Sequence, residues 1–344
     1  MQYGVSRLKP HKFMQFSHYI GVDISKMTLD MAIYPARDLK ADCLHITNDD
    51  KGLRDFLSWL KNKGLDPRSA LICAEHTGIY SKTLEAFVQK KELNLSMNSP
   101  LNMKRSMGIA RGKNDKLDAI RIAEYAYLHR ETLKIYQKPS DLIIQLQYLL
   151  AERRQYTKQK TAITNMHTEL GRYETAAART REKNTIRRMD EMLRNIDAQI
   201  VELISTDPAV SKNYNLISSI KGIGLVNAVS TIVYTNNFQS FETPRQYACY
   251  IGVAPFEHSS GTSVHGRTQV SKICRTQQKT ELTMAARTSI VHDPWMRKYY
   301  LRKMKEKGGA REMHGVVLNA VKFKLILRMF AVVRSGQPYK ILNY

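Results

Sequence analysis

The chain has 344 residues, 43% hydrophobic and 25% charged, which is enough for two domains with buried cores plus connecting structure. Its 54 Lys and Arg against 31 Asp and Glu leave a formal charge of +23, and self-repulsion on that scale calls for a polyanionic partner, nucleic acid first and an anionic membrane surface second. The membrane reading is weak: no apolar run approaches the roughly 18 residues of a spanning helix, and the basic start MQYGVSRLKPHKFMQFSH lacks a signal peptide's apolar stretch, so a cytoplasmic protein, nucleoid-associated when bound to DNA, is expected.

After a basic extension over residues 1–17, residues 18–137 read as a mixed α/β domain. YIGVDIS and LDMAIY, separated by a turn at Lys26-Met27-Thr28, are predicted as paired strands, with a third through Cys43-Leu44-His45-Ile46. Asn48 or Asp49 can cap a helix carrying Leu53, Phe56, Leu57 and Leu60 at helical spacing, stopped by Gly64. ALICAE is a buried-type strand, TLEAFVQKK a helix, and a strand near Leu95 ends at Pro100; helical pattern resumes from about Asn114 to His129.

Residues 138–208 differ in kind. Ile186, Met189, Leu193, Ile196, Ile200 and Leu203 repeat at the 3,4 spacing of a coiled-coil seam, whereas the stretch from Leu142 to Leu170 places Arg153, Lys160 and His167 on its seam. Gly171 and the polar run to Asn184 are expected to form the bend between two long helices, and Asp207-Pro208 ends the second. Residues 209–344 are expected to be mainly helical, with a Gly222-Ile223-Gly224 turn, a helix starting at Thr243-Pro244, a flexible HSSGTSVHG stretch at 258–266, and three helical patterns to about Arg334. Residues 264–328 hold 15 Lys and Arg against 4 Asp and Glu. Four distant cysteines, Cys43, Cys73, Cys249 and Cys274, fit no zinc spacing and are expected as reduced thiols.

The chemistry-bearing residues of the first domain are acids. Asp23 interrupts an apolar strand and Glu75 ends another, positions where an unpaired carboxylate is costly. In KNDKLDA, Asp115 and Asp118 stand i and i+3 on one face of a starting helix. Taken singly each has a plainer role: Asp23 closing a turn or pairing with Lys26, Glu75 in a salt bridge, the two aspartates favouring the helix dipole. Together, the order strand-Asp, strand-Glu, helix-Asp is the layout of ribonuclease-H-like nucleases, in which converging carboxylates are relieved by a hard divalent cation.

GVDISK, CAEHTGIY and RGKNDKLDAIRIAEYA, followed by SIKGIG, QYACYIGVAP, SSGTSVHG and VSK, resemble the DEDD transposases, the insertion-sequence family that includes the pilin-gene invertase, over about residues 18–335. The resemblance implies a RuvC-like (RNase H-like) mixed sheet, then a long-helix coiled-coil region, then a mainly α, serine-bearing transposase domain. It implies that Asp23, Glu75, Asp115 and Asp118 hold Mg²⁺, with Mn²⁺ as a substitute. It further implies that Ser260 is the nucleophile, that a guide (bridge) RNA directs the enzyme to double-stranded donor and target DNA, and that the protein works as a homo-oligomer, dimer or tetramer.

Ser260 is one of three serines in its polar stretch, and Ser259 and Ser263 compete with it. A serine alcohol needs a base or metal field to attack, and a covalent intermediate conserves phosphodiester energy for religation. Gly222 and Gly224 resemble the hairpin of helix-hairpin-helix modules, where backbone N–H groups hold phosphate; Lys221 stands where relatives often have proline. His265, Arg267, Lys272 and Arg275 can bind the scissile phosphate or form a solvated basic loop, and Ile273-Cys274-Arg275 departs from the glycine that relatives carry after the lysine. Trp295, Tyr299 and Tyr300, interleaved with basic residues, can stack on bases or belong to a helix core. The sequence therefore predicts a site-specific DNA recombinase, against two rivals: a hydrolytic junction nuclease and a non-catalytic nucleic-acid-binding regulator.

Overall fold

The computed structural model describes residues 16–38, 42–106, 114–171, 173, 175–260, 264–271, 274 and 276–341. The chain divides into two compact units, residues 1–138 and 139–344.

In the first unit, alternation of apolar residues builds a sheet covered on both faces. Its strands are β1 (His18–Ile24), β2 (Thr28–Tyr34), β3 (Cys43–Thr47), β4 (Ala70–Glu75) and β5 (Asn94–Asn98), in the order β3-β2-β1-β4-β5. β1 runs antiparallel to β2 and β2 to β3, whereas β1–β4 and β4–β5 are parallel, a mixed order that fits the ribonuclease-H-like layout. Ile20, Val22, Leu29, Met31 and Ile72 point to one face, packing with Leu53, Phe56 and Leu60 of α1 (Asp50–Asn62) and Leu84, Phe87 and Val88 of α2 (Lys82–Lys90). The other face, with Tyr19, Leu71 and Cys73, packs under Met103 of α3 (Pro100–Ser106) and Ile122, Tyr125 and Ala126 of α4 (Asp115–Leu128). Pro100, expected only to stop a strand, opens α3, as proline can at a first helical position. Asp49 is the cap of α1, accepting from the Gly52 N–H at 2.8 Å, while Asn48 ties the carbonyls of Ser25 and Tyr80 together at 3.0 and 2.9 Å.

Gly21 sets the distance between α4 and the sheet. A Cβ at this position would stand 2.1 Å from the Ala119 carbonyl oxygen and 2.3 Å from the Ala123 nitrogen, so only a residue without a side chain admits the helix backbone.

The second unit begins with two antiparallel helices, α5 (Asp141–Leu170) and α6 (Ala176–Ser205). The polar run expected as part of the bend is instead the start of α6: Thr175 caps it, and AAARTREKN is rich in helix formers whose polar faces are solvated. At the base, Ile143, Leu146, Leu150, Ile196, Ile200 and Ile204 share one core with the rest of the unit. Farther out, the expected seam residues of α5 meet acids: Arg153 reaches Asp197 at 2.6 Å, Lys160 pairs with Asp190, and His167 reaches Glu182 at 2.9 Å. The distal half is thus laced by ion pairs where an uninterrupted apolar seam would have required hydrophobic partners on α5.

The remaining helices are α7 (Pro208–Ser218), α8 (Leu225–Thr235), α9 (Pro244–Tyr250), α10 (Thr276–His292), α11 (Pro294–Glu306) and α12 (His314–Ser335). Asp207 caps α7, and Thr243 with Gln246 forms a capping box on α9. Val321, Leu325, Ile326 and Met329 of α12 are fully buried. The stretch expected to be flexible at 258–266 lies largely in strands: β6 (Pro255–Ser260) and β7 (Val264–Val270) pair antiparallel, with Ser260 opposite Val264. Cross-strand ladder bonding overrides the loop-like Ser/Gly composition there. Asp293, fully buried, caps α11 through the Met296 N–H, pairs with Arg328, and accepts from the Tyr339 hydroxyl at 3.0 Å. Trp295 and Tyr299 stack on each other at 5.6 Å, and Lys324 and Arg328 lie over the Trp295 ring at 5.8 and 4.7 Å, so the helix-core reading of these rings is the one the packing favours. Among the described residues no helix is long and apolar enough to cross a membrane.

Gly21→Ala is expected to destabilise the first unit by roughly 1–3 kcal/mol or more, because the methyl group must displace helix backbone. Gly315→Ala, whose Cβ meets nothing within 4 Å, is the helical control and is expected to hold or raise stability. Urea denaturation of the two variants checks this; equal midpoints would contradict the close-approach argument.

Candidate active site

Asp23 is the penultimate residue of β1 and Glu75 the last of β4, and these strands are parallel neighbours. Val22 pairs with Ala74, so the two acids stand one step beyond, at the same end of adjacent strands. Because side chains alternate along a strand, Asp23 shares the face of Tyr19 and Gly21, and Glu75 that of Leu71 and Cys73. This is the face covered by α4, whose first turn carries Asp115 and Asp118. Asn114 caps that turn, accepting from the Lys116 N–H at 3.1 Å. The structure therefore brings the four predicted acids to one end of one face.

Their electrostatics report the convergence. Burial first, then the carboxylates of Asp115, Asp118, Glu75 and Asp30, push Asp23 from 3.8 up to about 6. Glu75 is raised as well, by burial and then by Asp118. Asp118 is paired with Arg121 at 2.7 Å. Among the described residues no cation pairs with Asp23, Glu75 or Asp115. Nor, among those residues, are three His, Cys, Asp or Glu side chains drawn together closely enough to hold a metal ion. The donor set is nevertheless the right kind for a hard divalent cation: oxygen ligands under mutual repulsion, of which Mg²⁺ uses one or two alongside water and substrate phosphate.

Two polar neighbours escape a reading of the sequence. Asp30, 4% exposed, lies directly opposite Asp23 in the β1–β2 ladder and is tied to Nδ1 of His45 at 2.9 Å on the next strand. Asn98 stands beside Glu75 on β5. A row of polar residues thus crosses the sheet from His45 through Asp30, Asp23 and Glu75 to Asn98. The signal was the position of Asp30 two residues into its strand, hidden by the apolar residues around it. Asn48, by joining the turn after β1 to the loop after β4, holds the rim of this end together.

In the second unit, Ser260 closes β6, and His265 and Arg267 lie on β7, with His265 opposite Ser259. The side chains of these residues, and Ser263, Lys272 and Arg275 as a whole, lie outside the described residues. Gly222 takes a positive φ of 97° and packs against Ala285 and Ser289 of α10, where a Cβ would stand 2.5 Å from the Ala285 carbonyl oxygen. Gly224 is the N-cap of α8 and has open space at its Cβ position. None of Cys43, Cys73, Cys249 and Cys274 is in a disulfide; the first two are buried and the last two half-buried.

Comparison with known proteins agrees with this arrangement. Residues 20–170 match a transposase model of the DEDD IS110 type, and residues 214–301 match the transposase model of the IS116/IS110/IS902 family. The pilin gene-inverting protein of Moraxella bovis is 27% identical over 325 residues, spanning 93% of this chain and 97% of that protein; its Moraxella lacunata counterpart has the same identity and coverage. The insertion element IS110 uncharacterized 43.6 kDa protein of Streptomyces coelicolor is 30% identical over 150 residues, 44% of this chain and 35% of that protein. With both transposase models matched in chain order, the first over the carboxylate-bearing sheet, the chain carries the transposase domains of the IS110 family and is a DNA recombinase/transposase.

Proposed function

We propose that the protein is a site-specific recombinase of a mobile element, guided by an RNA, that cuts and rejoins double-stranded DNA using its four carboxylates and Ser260. The observation that carries this reading is the meeting of Asp23 and Glu75 at adjacent parallel strand ends beneath the first turn of α4. Asp23, Glu75, Asp115 and Asp118 are the residues that would hold Mg²⁺ or Mn²⁺. A divalent cation bound there supplies Lewis-acid stabilisation of a phosphodiester displacement.

The chain's own groups have separable tasks. Asp23, central in the row, is the acid most disturbed by its neighbours and so the most dependent on a counter-charge. Asp118, already paired with Arg121, is oriented by its own helix. Ser260, at the turn end of a β-hairpin, is the proposed nucleophile: its Oγ bonds to the phosphorus, the DNA 3′ or 5′ oxygen leaves with a proton, and reversal of the step rejoins strands without external energy. The positive second unit attracts both DNA and a guide RNA, and assembly as a dimer or tetramer would bring two DNA partners together.

Strand exchange is expected to fall by at least about 10³-fold in Asp23→Asn and in Ser260→Ala, a loss of the size seen when a group acting only in the transition state is removed. The wild-type protein is expected to leave a protein–DNA adduct on a denaturing gel, and Ser260→Ala none. Recombination by Ser260→Ala at the wild-type rate would end the serine reading, and cleavage without any adduct would favour a hydrolytic nuclease.

A second prediction follows from the raised Asp23. Its folded value near 6 lies above the ordinary 3.8, so the folded state keeps a proton that the unfolded chain releases, and without divalent cation stability falls as pH rises from about 4 through 6. The loss is complete at pH 7, at roughly 1–2 kcal/mol after allowing for solvent screening. Asp23→Asn is expected to raise the thermal midpoint of metal-free protein at pH 7 and to leave it unchanged at pH 4. Added Mg²⁺ should raise the wild-type midpoint at pH 7 more than that of the variant; identical pH profiles for both proteins would contradict the clustering of charge.

A further inference from the structure

α12 runs through the core of the second unit, and of the two lysines in its sequence VVLNAVKFKLIL, Lys322 lies on the buried side with Val317, Leu318, Val321, Leu325 and Ile326. Lys322 is only 7% exposed, beside Val321, Leu325 and Ile326 at 0%. Removing an ammonium from water is costly unless an anion or hydrogen-bond acceptors replace its hydration. Among the described residues none provides an ion pair or hydrogen bond to Lys322. Burial first, then the field of two cations, Lys279 and Arg287, two turns apart on α10, pulls the ammonium down to about 8. Among the described residues Lys322 thus meets cations and no anion, and its Nζ is not one of the enclosed, unpartnered side-chain atoms.

The position of this cluster bears on what supplies that charge. Asn319, one turn before Lys322, donates from Nδ2 to the Val253 carbonyl at 2.7 Å, and Val253 lies two residues before β6. On the other strand of the same foot, Cys274 and the Ser271 carbonyl pack against Gly252. The cluster thus stands on the helix that braces the foot of the hairpin carrying Ser260, inside the region with 15 Lys and Arg against 4 acids.

We infer that Lys322, with Lys279 and Arg287, forms a seat for a backbone phosphate of bound nucleic acid at the foot of the β6–β7 hairpin. A phosphodiester oxygen accepts the charge-assisted hydrogen bond that the lysine lacks, and Lys279 and Arg287, near enough to repel Lys322, attract the same anionic group. The inference rests on the recombinase reading only for the presence of nucleic acid. It adds the place where a strand is held near the hairpin.

The test is Lys322→Met, which keeps the aliphatic stem and removes the charge, compared with Lys322→Arg. Affinity is measured in full-length protein across salt concentrations, for a DNA duplex and for RNA of equal length. Lys322→Met is expected to bind about 5- to 10-fold more weakly at low salt, with a log–log salt slope shallower by about 0.7–0.9, while its thermal midpoint stays level or rises. Loss confined to the duplex assigns the seat to DNA, and loss confined to RNA assigns it to the guide. Unchanged affinity and slope for both ligands would overturn the proposal. Should Lys322→Met fold poorly, Lys279→Gln with Arg287→Gln is expected to flatten the slope by about two contacts, and an unaltered slope in that pair is equally fatal. Failure of the recombinase reading looks different: Asp23→Asn would then exchange strands normally, with these salt slopes untouched.

Discussion

The first unit depends on a close approach between a helix and a sheet. α4 comes so near β1 that the carbonyl of Ala119 and the nitrogen of Ala123 occupy the space where a side chain on residue 21 would begin. That contact fixes the height of the helix over the sheet, and its first turn carries two of the acids. A strand end contributes a carboxylate at a position set by ladder hydrogen bonds, and a helix start contributes others at positions set by its cap. Neither element alone determines how far apart these groups stand; the packing at Gly21 does.

The cost of this arrangement is electrostatic. Folding brings together carboxylates that would separate in water, and Asp23 answers by holding its proton to higher pH. Arg121 relieves Asp118, three residues before it on the same helix. Asp30 is handled differently: buried beside Asp23, it is engaged by His45 across the next strand. The second unit presents the complementary problem, an excess of cations. Some are used structurally, as where Arg328 satisfies the buried Asp293 and covers Trp295 and Tyr339. Arg154 likewise joins Glu281, Ser230 and Tyr234 between helices.

How much of this was legible beforehand varied with the physical signal. β1, β4 and α4 were readable because an isolated acid in an apolar run, or a pair at i and i+3, contrasts with its surroundings. The convergence of the acids was expected from their order, but Asp30 was not, since its neighbours in TLDMAIY looked like ordinary strand residues and its partner His45 is 15 residues away. The strands around Ser260 were hidden by composition: serine, glycine and threonine signal a loop unless a partner strand satisfies the backbone. The start of α6 was misplaced for the converse reason, a charged stretch taken for a bend although its residues favour helix. Lys322 escaped notice because a lysine in an amphipathic pattern is ordinarily assigned to the solvated face, and only the packing of α10 on α12 reveals its burial.

The ladder between α5 and α6 has a consequence for mechanics. Arg153, Lys160 and His167 meet Asp197, Asp190 and Glu182 in reverse order along the hairpin, each pair partly open to solvent. Dissolved ions weaken such pairs far more than they weaken apolar contacts. The outer half of the arm therefore softens under the same ionic conditions that release polyanions from the basic unit, while its root, built on Ile143, Leu146, Ile196 and Ile200, stays firm. Rigidity of the limb and retention of its cargo are governed by one environmental variable.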